Sequence, residues 1–434
     1  MMTDPQKQDP RKAKLLSIIP GLGQFYNHQV LKGSIFLVLF LAFVAELALA
    51  GVRQIVNLIT LGSTPMMDNS LFMMIEGTLQ ILVLVVAIIL YAANIYDAGN
   101  IAKQANEGKQ PSTSLVQMIK NIGDGGFPYL FSIPAYFLML FIIVFPVLVT
   151  LFIAFSNYDF LHVPPAHLLD WVGFKNFTSL FFLSSYRQTF NAVFGWTIIW
   201  TVVATTLQLF LGIFTAIVAN QDFIKFKRAF GVIFLLPWAV PAFISIMSFS
   251  NIFNDSAGAI NVQVIPFFNK ILPFLHMSLP AWKTDPFWTK IAIIMIQGWL
   301  GFPYIYVMVT GILQAIPEDL YEAATLDGAS AIQKFNHITA PTIFTVAAPI
   351  FITQYTGNFN NFSMIYLFNS GGPGDVGGGA GGTDILISWI YKLTTGQSPQ
   401  YSIAAAVTLL ISVIVIGVSM IVFKKTGAFD LGDD

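Results

Sequence analysis

Apolar runs long enough to supply the roughly 20 residues of a bilayer-spanning helix recur at 34–52, 72–93, 129–155, 189–219, 229–253, 289–313, 342–368 and 401–423. No other feature restricts the chain as much. In hydrocarbon every backbone N–H and C=O must be satisfied within the structure, so runs of this length are helices. The fold class expected is therefore an all-α integral membrane protein with eight transmembrane helices. Composition agrees: 10% of the 434 residues are charged, against about 25% in soluble domains, and mean hydropathy is +0.71. A net charge of −1 gives no reason to expect nucleic acid as a partner. The absence of cysteine excludes disulfides, thiolate catalysis and cysteine-ligated metal.

Fourteen of the basic residues, among them Arg11, Lys12, Lys14, Lys103, Lys227, Arg228 and Lys334, fall on the side that carries the N-terminus, and seven, including Arg53, Lys175 and Lys283, on the other. By the positive-inside rule both termini are expected in the cytoplasm. The first run ends AELALA, a match to an A-x-A cleavage site, but its long polar lead with a Pro20–Gly21 turn reads as a retained helix rather than a signal peptide. Residues 94–127, with GKQPSTS and IGDGGFP, form the best boundary, dividing a lead, two helices and a cytoplasmic linker (1–127) from a six-helix remainder (128–434). Pro134, Pro146, Pro237, Pro241, Gly301, Pro303 and Pro349 interrupt the spans. Any one of them reads as a simple kink, whereas clustered in WLGFPYIY (299–306) they suggest backbone lining a path.

One polar segment separates two long spans, YEAATLDGASAIQKFNHITAP at 321–341. Pro317 with Glu318, Asp319 and Glu322 suits a helix start. Leu313, Ile316, Leu320, Ala323 and Ala324 form one apolar stripe. Gly328 is a natural C-terminal break. Ser330 and Gln333 make a capping box for a second short helix that Pro341 closes. The polar face is acidic, with Glu318, Asp319, Glu322 and Asp327 against Lys334, so anionic lipid would repel it and a protein partner suits it better.

The pattern Glu322, Ala323, Ala324, Gly328, Ile338, Pro341 resembles the EAA loop of ABC importer permeases, here spanning 315–341. FSNYDF (155–160), VGFKNF (172–177), FLLPWAVPA (234–242), WLGFPYIY, NFNNF (358–362), NSGGPGD (369–375) and GGTDILISWIYKL (381–393) are similar to the MalF-type permeases of the sugar-importer branch, with their maltose and maltodextrin members. The resemblance implies a six-helix MetI-like core preceded by two extra helices, in a bacterial cytoplasmic membrane. It also implies a second permease of the MalG type, a MalK-type ATPase dimer that uses ATP and Mg, and an extracellular sugar-binding protein. Glu322, Ala323, Ala324, Asp327 and Gly328 would dock the ATPase. The chain departs from the enterobacterial pattern between the third and fourth helices, where about 30 residues stand in place of a large external domain.

Catalytic residues are not expected. There is no G-x-x-x-x-G-K-[ST] phosphate loop, and the five histidines show no H-E-x-x-H spacing. ATP is thus expected on another polypeptide, with no cofactor or metal on this one. The Gly-rich run 371–382 lacks the lysine of a phosphate cradle and reads as a flexible external loop. By resemblance Leu300, Gly301, Tyr304, Asn358 and Asn361 match sugar-site positions, with Ser250 a further candidate. Gln297 and Gln354 join them on the path, although there and at Gly357 the residue type differs from the family. The competing reading is that these polar groups merely join helices. Glu46, an acid inside the first span, opens the alternative of an ion-coupled carrier. Within the importer class the alternative is another sugar, of the multiple-sugar or raffinose type.

Overall fold

The computed structural model describes residues 8–107, 127–221 and 223–426. The GKQPSTS and GDGG stretches, Lys7, Lys109 and Lys120 lie outside the described residues. Seven helices among the described residues are long and apolar enough to cross a membrane. The eighth apolar run, 229–253, is present but broken: α10 (Lys227–Phe234), α11 (Leu236–Ala239) and α12 (Ala242–Ile252) follow one another with Pro237 and Pro241 at the joints. Val240 is extended there, as the residue before a proline tends to be. The chain divides into two compact units, Met1–Gly173 and Phe174–Asp434. The third span therefore groups by contacts with the N-terminal pair, although the composition boundary lies before it.

In the first unit α1 (Pro10–Leu16) and α2 (Leu22–Tyr26) lead into α3 (Val30–Glu46), a π-turn (Leu47–Gly51) and α4 (Val52–Thr60). The long α5 (Ser70–Asn106) runs beside them, followed by α6 (Phe127–Met139) and α7 (Phe145–Ala154). The turn expected at Pro20–Gly21 exists: Gly21 has φ +92°. Buried Asn94 of α5 ties that turn down, accepting from the Gly21 N–H at 3.1 Å and donating to the Ser17 carbonyl at 2.8 Å. Glu46 is half-buried, and Gln80 of α5 donates to its Oε2 at 3.2 Å. The π-turn helps here, because it places Gly51 where a Cβ would stand 2.5 Å from the Gln80 amide nitrogen.

The second unit comprises α8 (Lys175–Phe182), α9 (Ser184–Ala219), α10–α12, α13 (Ile265–Ile271) and α14 (Pro286–Ala315), then α15 (Glu318–Leu326), α16 (Ala331–Lys334), α17 (Ala340–Phe359) and α18 (Phe362–Asn369). A two-stranded hairpin, α19 (Leu386–Thr395) and α20 (Tyr401–Thr426) complete it. Its core is the seam between α9 and α14. A Cβ on Gly212 of α9 would lie 2.4 Å from the Ile305 Cβ and 2.9 Å from the Phe302 carbonyl oxygen, and one on Gly298 would lie 3.0 Å from Leu207. Small residues let helix backbones approach closely, which is how helices associate where lipid removes the hydrophobic drive.

Three expectations change. WLGFPYIY does not break its span: α14 is continuous through buried Pro303. Phe302, Ile305, Tyr306 and Val309 pack with Leu209 and Ala216 of α9 and Ile343 and Ala347 of α17, which holds the turns on both sides of the lost hydrogen bond. Pro341 does not close the second short helix either. α16 passes through a π-turn (Phe335–Thr339) into α17 with Pro341 in the first turn, where a missing donor is harmless. The Gly-rich run is not a bare loop. Strands Asp375–Gly377 and Ala380–Gly381 pair antiparallel over buried Asp384, which accepts from the Gly381 N–H at 2.6 Å and the Ser388 hydroxyl at 2.8 Å and pairs with Lys392. Gly371 is required here, since a Cβ would sit 1.8 Å from an Asp384 oxygen.

Gly212→Ala is expected to cost about 1–3 kcal/mol by forcing the seam apart. The check is the thermal midpoint of the purified protein in detergent. An unchanged midpoint would show that the seam has room to spare.

Candidate functional site

Along α14, Gln297, Leu300, Gly301 and Tyr304 fall on one face at helical spacing, and all are half-buried or exposed, whereas Phe302 on the opposite side is buried. Gln354 and Asn358 repeat the pattern on α17, and Asn361 caps α18 by accepting from the Met364 N–H at 3.2 Å. The structure brings the four amides together through a residue that sequence reasoning missed. Gln208 of α9, only 1% exposed, accepts at Oε1 from Gln297 at 3.0 Å and from Asn358 at 3.2 Å, and donates from Nε2 to Gln354 at 2.9 Å. Asn361 donates to the Gln297 oxygen at 3.0 Å and to the Asn358 oxygen at 3.3 Å. Buried Asn358 also donates to Thr205 at 2.9 Å, and its carbonyl accepts from the Trp200 indole at 2.8 Å.

Gly301 belongs to this arrangement for a steric reason. A Cβ there would lie 2.2 Å from the Gln208 oxygen, so its absence admits the Gln208 amide to the seam. The cluster thus has two layers. Gln208, Asn358 and Thr205 are buried, while Gln297, Gln354 and Asn361 form a less buried rim beside Leu300 and the exposed ring of Tyr304, which lies 6.1 Å from the Trp238 ring. Each rim amide offers donors and an acceptor and no charge, a surface matched to neutral hydroxyl groups. Gly357, one turn above Gln354, is exposed. Ser250 is not part of it. Its hydroxyl donates to the Phe368 carbonyl at 2.8 Å, at the far end of α18. A signal for Gln208 was available: it is the one amide within TTLQLFLG, an apolar stretch where a polar side chain demands a partner.

The second feature is the α15–α16 turn. Gly328 has φ +76°, the Ala329 N–H donates to the Ala324 carbonyl at 2.9 Å and the Gly328 N–H to that of Thr325 at 3.0 Å, the two bonds of a Schellman termination. The expected capping box is present, with the Ser330 N–H donating to Gln333 at 2.8 Å and the Gln333 N–H to Ser330 at 3.4 Å. Lys334 donates to Thr325 at 2.6 Å and Tyr321 bonds Thr339 at 2.8 Å, so the pair is braced from within. Glu322, Ala323, Asp327 and Gly328 are exposed and Ala324 is half-buried. Of the expected apolar stripe only Ile316 is buried; Leu320 is 50% exposed and Leu326, outside that stripe, 89%. The pair therefore presents acids and large apolar side chains together on one exposed surface.

Gln208→Leu keeps the bulk of the side chain and strips three amides of a partner each. Helix-joining bonds in membranes average about 0.6 kcal/mol, so a loss of about 1–2 kcal/mol is expected in unfolding measurements on the purified chain. Stability equal to that of the parent would mean that the cluster closes without its hub.

Comparison with known proteins places these features. Residues 208–426 match the family model described as binding-protein-dependent transport system inner membrane component. The maltodextrin transport system permease protein MdxF of Bacillus subtilis is 64% identical, covering 96% of each chain. The maltodextrin transport system permease protein MalC of Streptococcus pneumoniae is 63% identical over 99% of this chain and 98% of its own. A galactooligosaccharides transport system permease protein, GanP of Bacillus subtilis, is 49% identical over 97% and 99% respectively. Among solved structures, a bacterial ABC transporter involved in the import of the acidic polysaccharide alginate has the same fold, with TM-score 0.57, 19% identity, and coverage of 72% of this chain and 99% of that one. The chain belongs to the family of binding-protein-dependent transport system inner membrane components, and is a multi-pass permease of an ABC importer.

Proposed function

We propose that this permease carries maltodextrins, neutral α-linked glucose oligomers, along the amide rim of α14, α17 and α18. The observation that carries the reading is the identity of 63–64% over nearly the whole chain to two maltodextrin permeases, against 49% to a galactooligosaccharide permease. The rim supports it, because Gln297, Gln354 and Asn361, backed by buried Asn358, supply donors and acceptors without a charge and Tyr304 supplies an aromatic face for a pyranose ring. Ser250 stands outside this set, because its hydroxyl is engaged at the other end of α18.

The same reading supplies the remaining parts of the machine. An extracellular binding protein delivers the sugar, a second MalG-type permease completes the path, and a MalK-type ATPase dimer hydrolyses ATP with Mg. The chain itself holds no cofactor, and lipid surrounds its spans. Both termini are assigned to the cytoplasm from the distribution of Lys and Arg, with 1–127 as the N-terminal lead, helix pair and linker and 128–434 as the permease core. In that orientation the α15–α16 pair faces the ATPase. Its acids and exposed leucines meet a cleft of opposite charge, and the movement of the ATPase passes to the spans as a rigid-body rotation.

Two experiments test this reading. Uptake of maltodextrin by vesicles containing the full complex is expected to require ATP and to survive collapse of the proton gradient. Loss of uptake on adding an uncoupler, with ATP held constant, would favour an ion-coupled carrier and Glu46 as its relay. At the turn, nothing lies within 4 Å of a Cβ built on Gly328, so Gly328→Val acts only through its positive φ, straining the turn by about 1–3 kcal/mol. Glu322→Lys instead reverses a charge in the docking face at about 0.3–1 kcal/mol of helix stability. Either is expected to leave the chain inserted while releasing the ATPase or uncoupling its hydrolysis from sugar. Normal co-purification with normal sugar-stimulated ATPase activity in both would remove the docking assignment.

A further inference from the structure

We propose that Lys283 is a positioning residue of the translocation path: its ammonium holds the C-terminal end of α18 and, through that short helix, the Asn361 amide at the other end. Lys283 stands in the segment before α14. Its Nζ donates to the Phe368 carbonyl and, at 2.6 Å, to the Ser250 hydroxyl of α12, and lies 4.0 Å from the centre of the Phe368 ring. Phe368 is the penultimate residue of α18, so the cation sits where the helix leaves its last carbonyls unpaired and negative. The backbone of Lys283 is fixed as well: its N–H donates to Asp255 at 2.7 Å and its carbonyl accepts from Asn369 at 3.0 Å.

α18 is only eight residues long and is held as a rigid rod, with Met364, Ile365 and Phe368 buried against Ile246, Phe253 and Trp282. Asn361 caps one end of it and bonds Gln297 and Asn358. Lys283 caps the other. A shift of the Phe368 end is therefore felt at Asn361 as a tilt or slide of the whole rod, since a packed helix moves as a body. Ser250, which by resemblance belongs with the sugar site, is here part of the clamp.

Burial pushes the Lys283 ammonium down to about 8, and Asp255 opposes the shift. Asp255 is the charged group that faces it. Asp285 is turned to the first turn of α14, where it accepts from Phe287 and Trp288, and Lys290 lies over the Trp196 ring. α12 and α18 offer the neutral Ser250, Phe368 and Asn369. A lysine below its ordinary value of 10.5 burdens the fold while charged, so this group's contribution to stability rises as pH climbs through about 8 toward 10.5. Donation to the Phe368 carbonyl is stronger from the ammonium, so the clamp loosens over the same range. For this group global stability and local positioning move in opposite directions, which a merely structural lysine would not produce.

The inference rests on the reading of Asn361 as a sugar contact, and the test separates the two. The complete importer is reconstituted in proteoliposomes, and the half-saturating concentration of radiolabelled maltotriose for transport is measured for Asn361→Ala, Lys283→Met, Lys283→Arg and the double variant Asn361→Ala with Lys283→Met. Asn361→Ala is expected to raise that concentration about tenfold and Lys283→Met about threefold, with the double variant no worse than Asn361→Ala, because the lysine acts through the asparagine. The parent should lose affinity as pH passes through about 8. Lys283→Arg should keep parental affinity without that loss, and Lys283→Met should be flat with pH. Multiplicative effects in the double variant, or a parental pH profile in Lys283→Met, overturn the role of Lys283 alone. Parental behaviour of Asn361→Ala overturns the path reading and this inference together.

Discussion

The close approach of α9 and α14 is the contact on which the rest of the second unit depends. Gly212 and Gly301 open the seam where any side chain would collide with Ile305 or with Gln208, and the space gained is filled by an amide rather than by methyl groups. Once Gln208 is inside, water cannot reach it, and each unpaired donor or acceptor would cost on the order of 1–3 kcal/mol. Its partners come from Gln297 on the same seam and from Gln354 and Asn358 across it. A packing requirement between two helices thereby fixes where a third helix must present its polar face.

That third helix also connects the cluster to the exposed α15–α16 pair. From Ala331 the chain stays helical through the π-turn and Pro341 to Phe359, so Asn358 lies at the end of the element that begins beside Gly328. At 1.5 Å per residue the separation is about 40 Å. Two weak points lie along it, the π-turn, whose Thr339 is tied back to Tyr321, and Pro349, which removes one backbone hydrogen bond inside α17. A displacement imposed on the exposed pair is thus delivered along one continuous helix to Gln354 and Asn358. The break at Asn360 then lets α18 respond separately, which explains why the two ends of α18 need their own anchors.

How much of this was legible in the sequence depends on the range of the interaction. Spans were legible because a helix in lipid needs only its own twenty or so apolar residues. The Gly328 turn and the Ser330–Gln333 box were legible because their bonds close within a few residues. Long-range choices were not. Pro237 and Pro241 break a helix while Pro303 does not, and the difference lies in the neighbours of Phe302 and Ile305 rather than in the proline. The fold of the Gly-rich run depends on Asp384 meeting Gly371 and Lys392. Gln297, Gln354, Asn358 and Asn361 stood out as polar residues in two neighbouring spans, but Gln208 had no second amide in the apolar stretch around it, and Gly301 of α14 is what admits it to the seam.

Charge, rather than fold, separates the substrates open to such a permease. The alginate importer has the same architecture at 19% identity, and the polysaccharide whose import it serves is acidic. In this chain the residues that meet at the seam are Gln208, Gln297, Gln354, Asn358, Asn361 and Thr205, all neutral. Lys283, the nearby cation that α18 engages, is occupied by the Phe368 carbonyl and Ser250, not turned toward the amides. A uronate entering this rim would lose its hydration without gaining a counter-charge, a cost that hydrogen bonds from amides do not offset. A neutral glucan exchanges hydroxyl–water bonds for hydroxyl–amide bonds of similar strength and releases the faces of its rings from water. On the proposed path those amide bonds are individually weak, so a sugar held by them would also be free to leave, as passage requires.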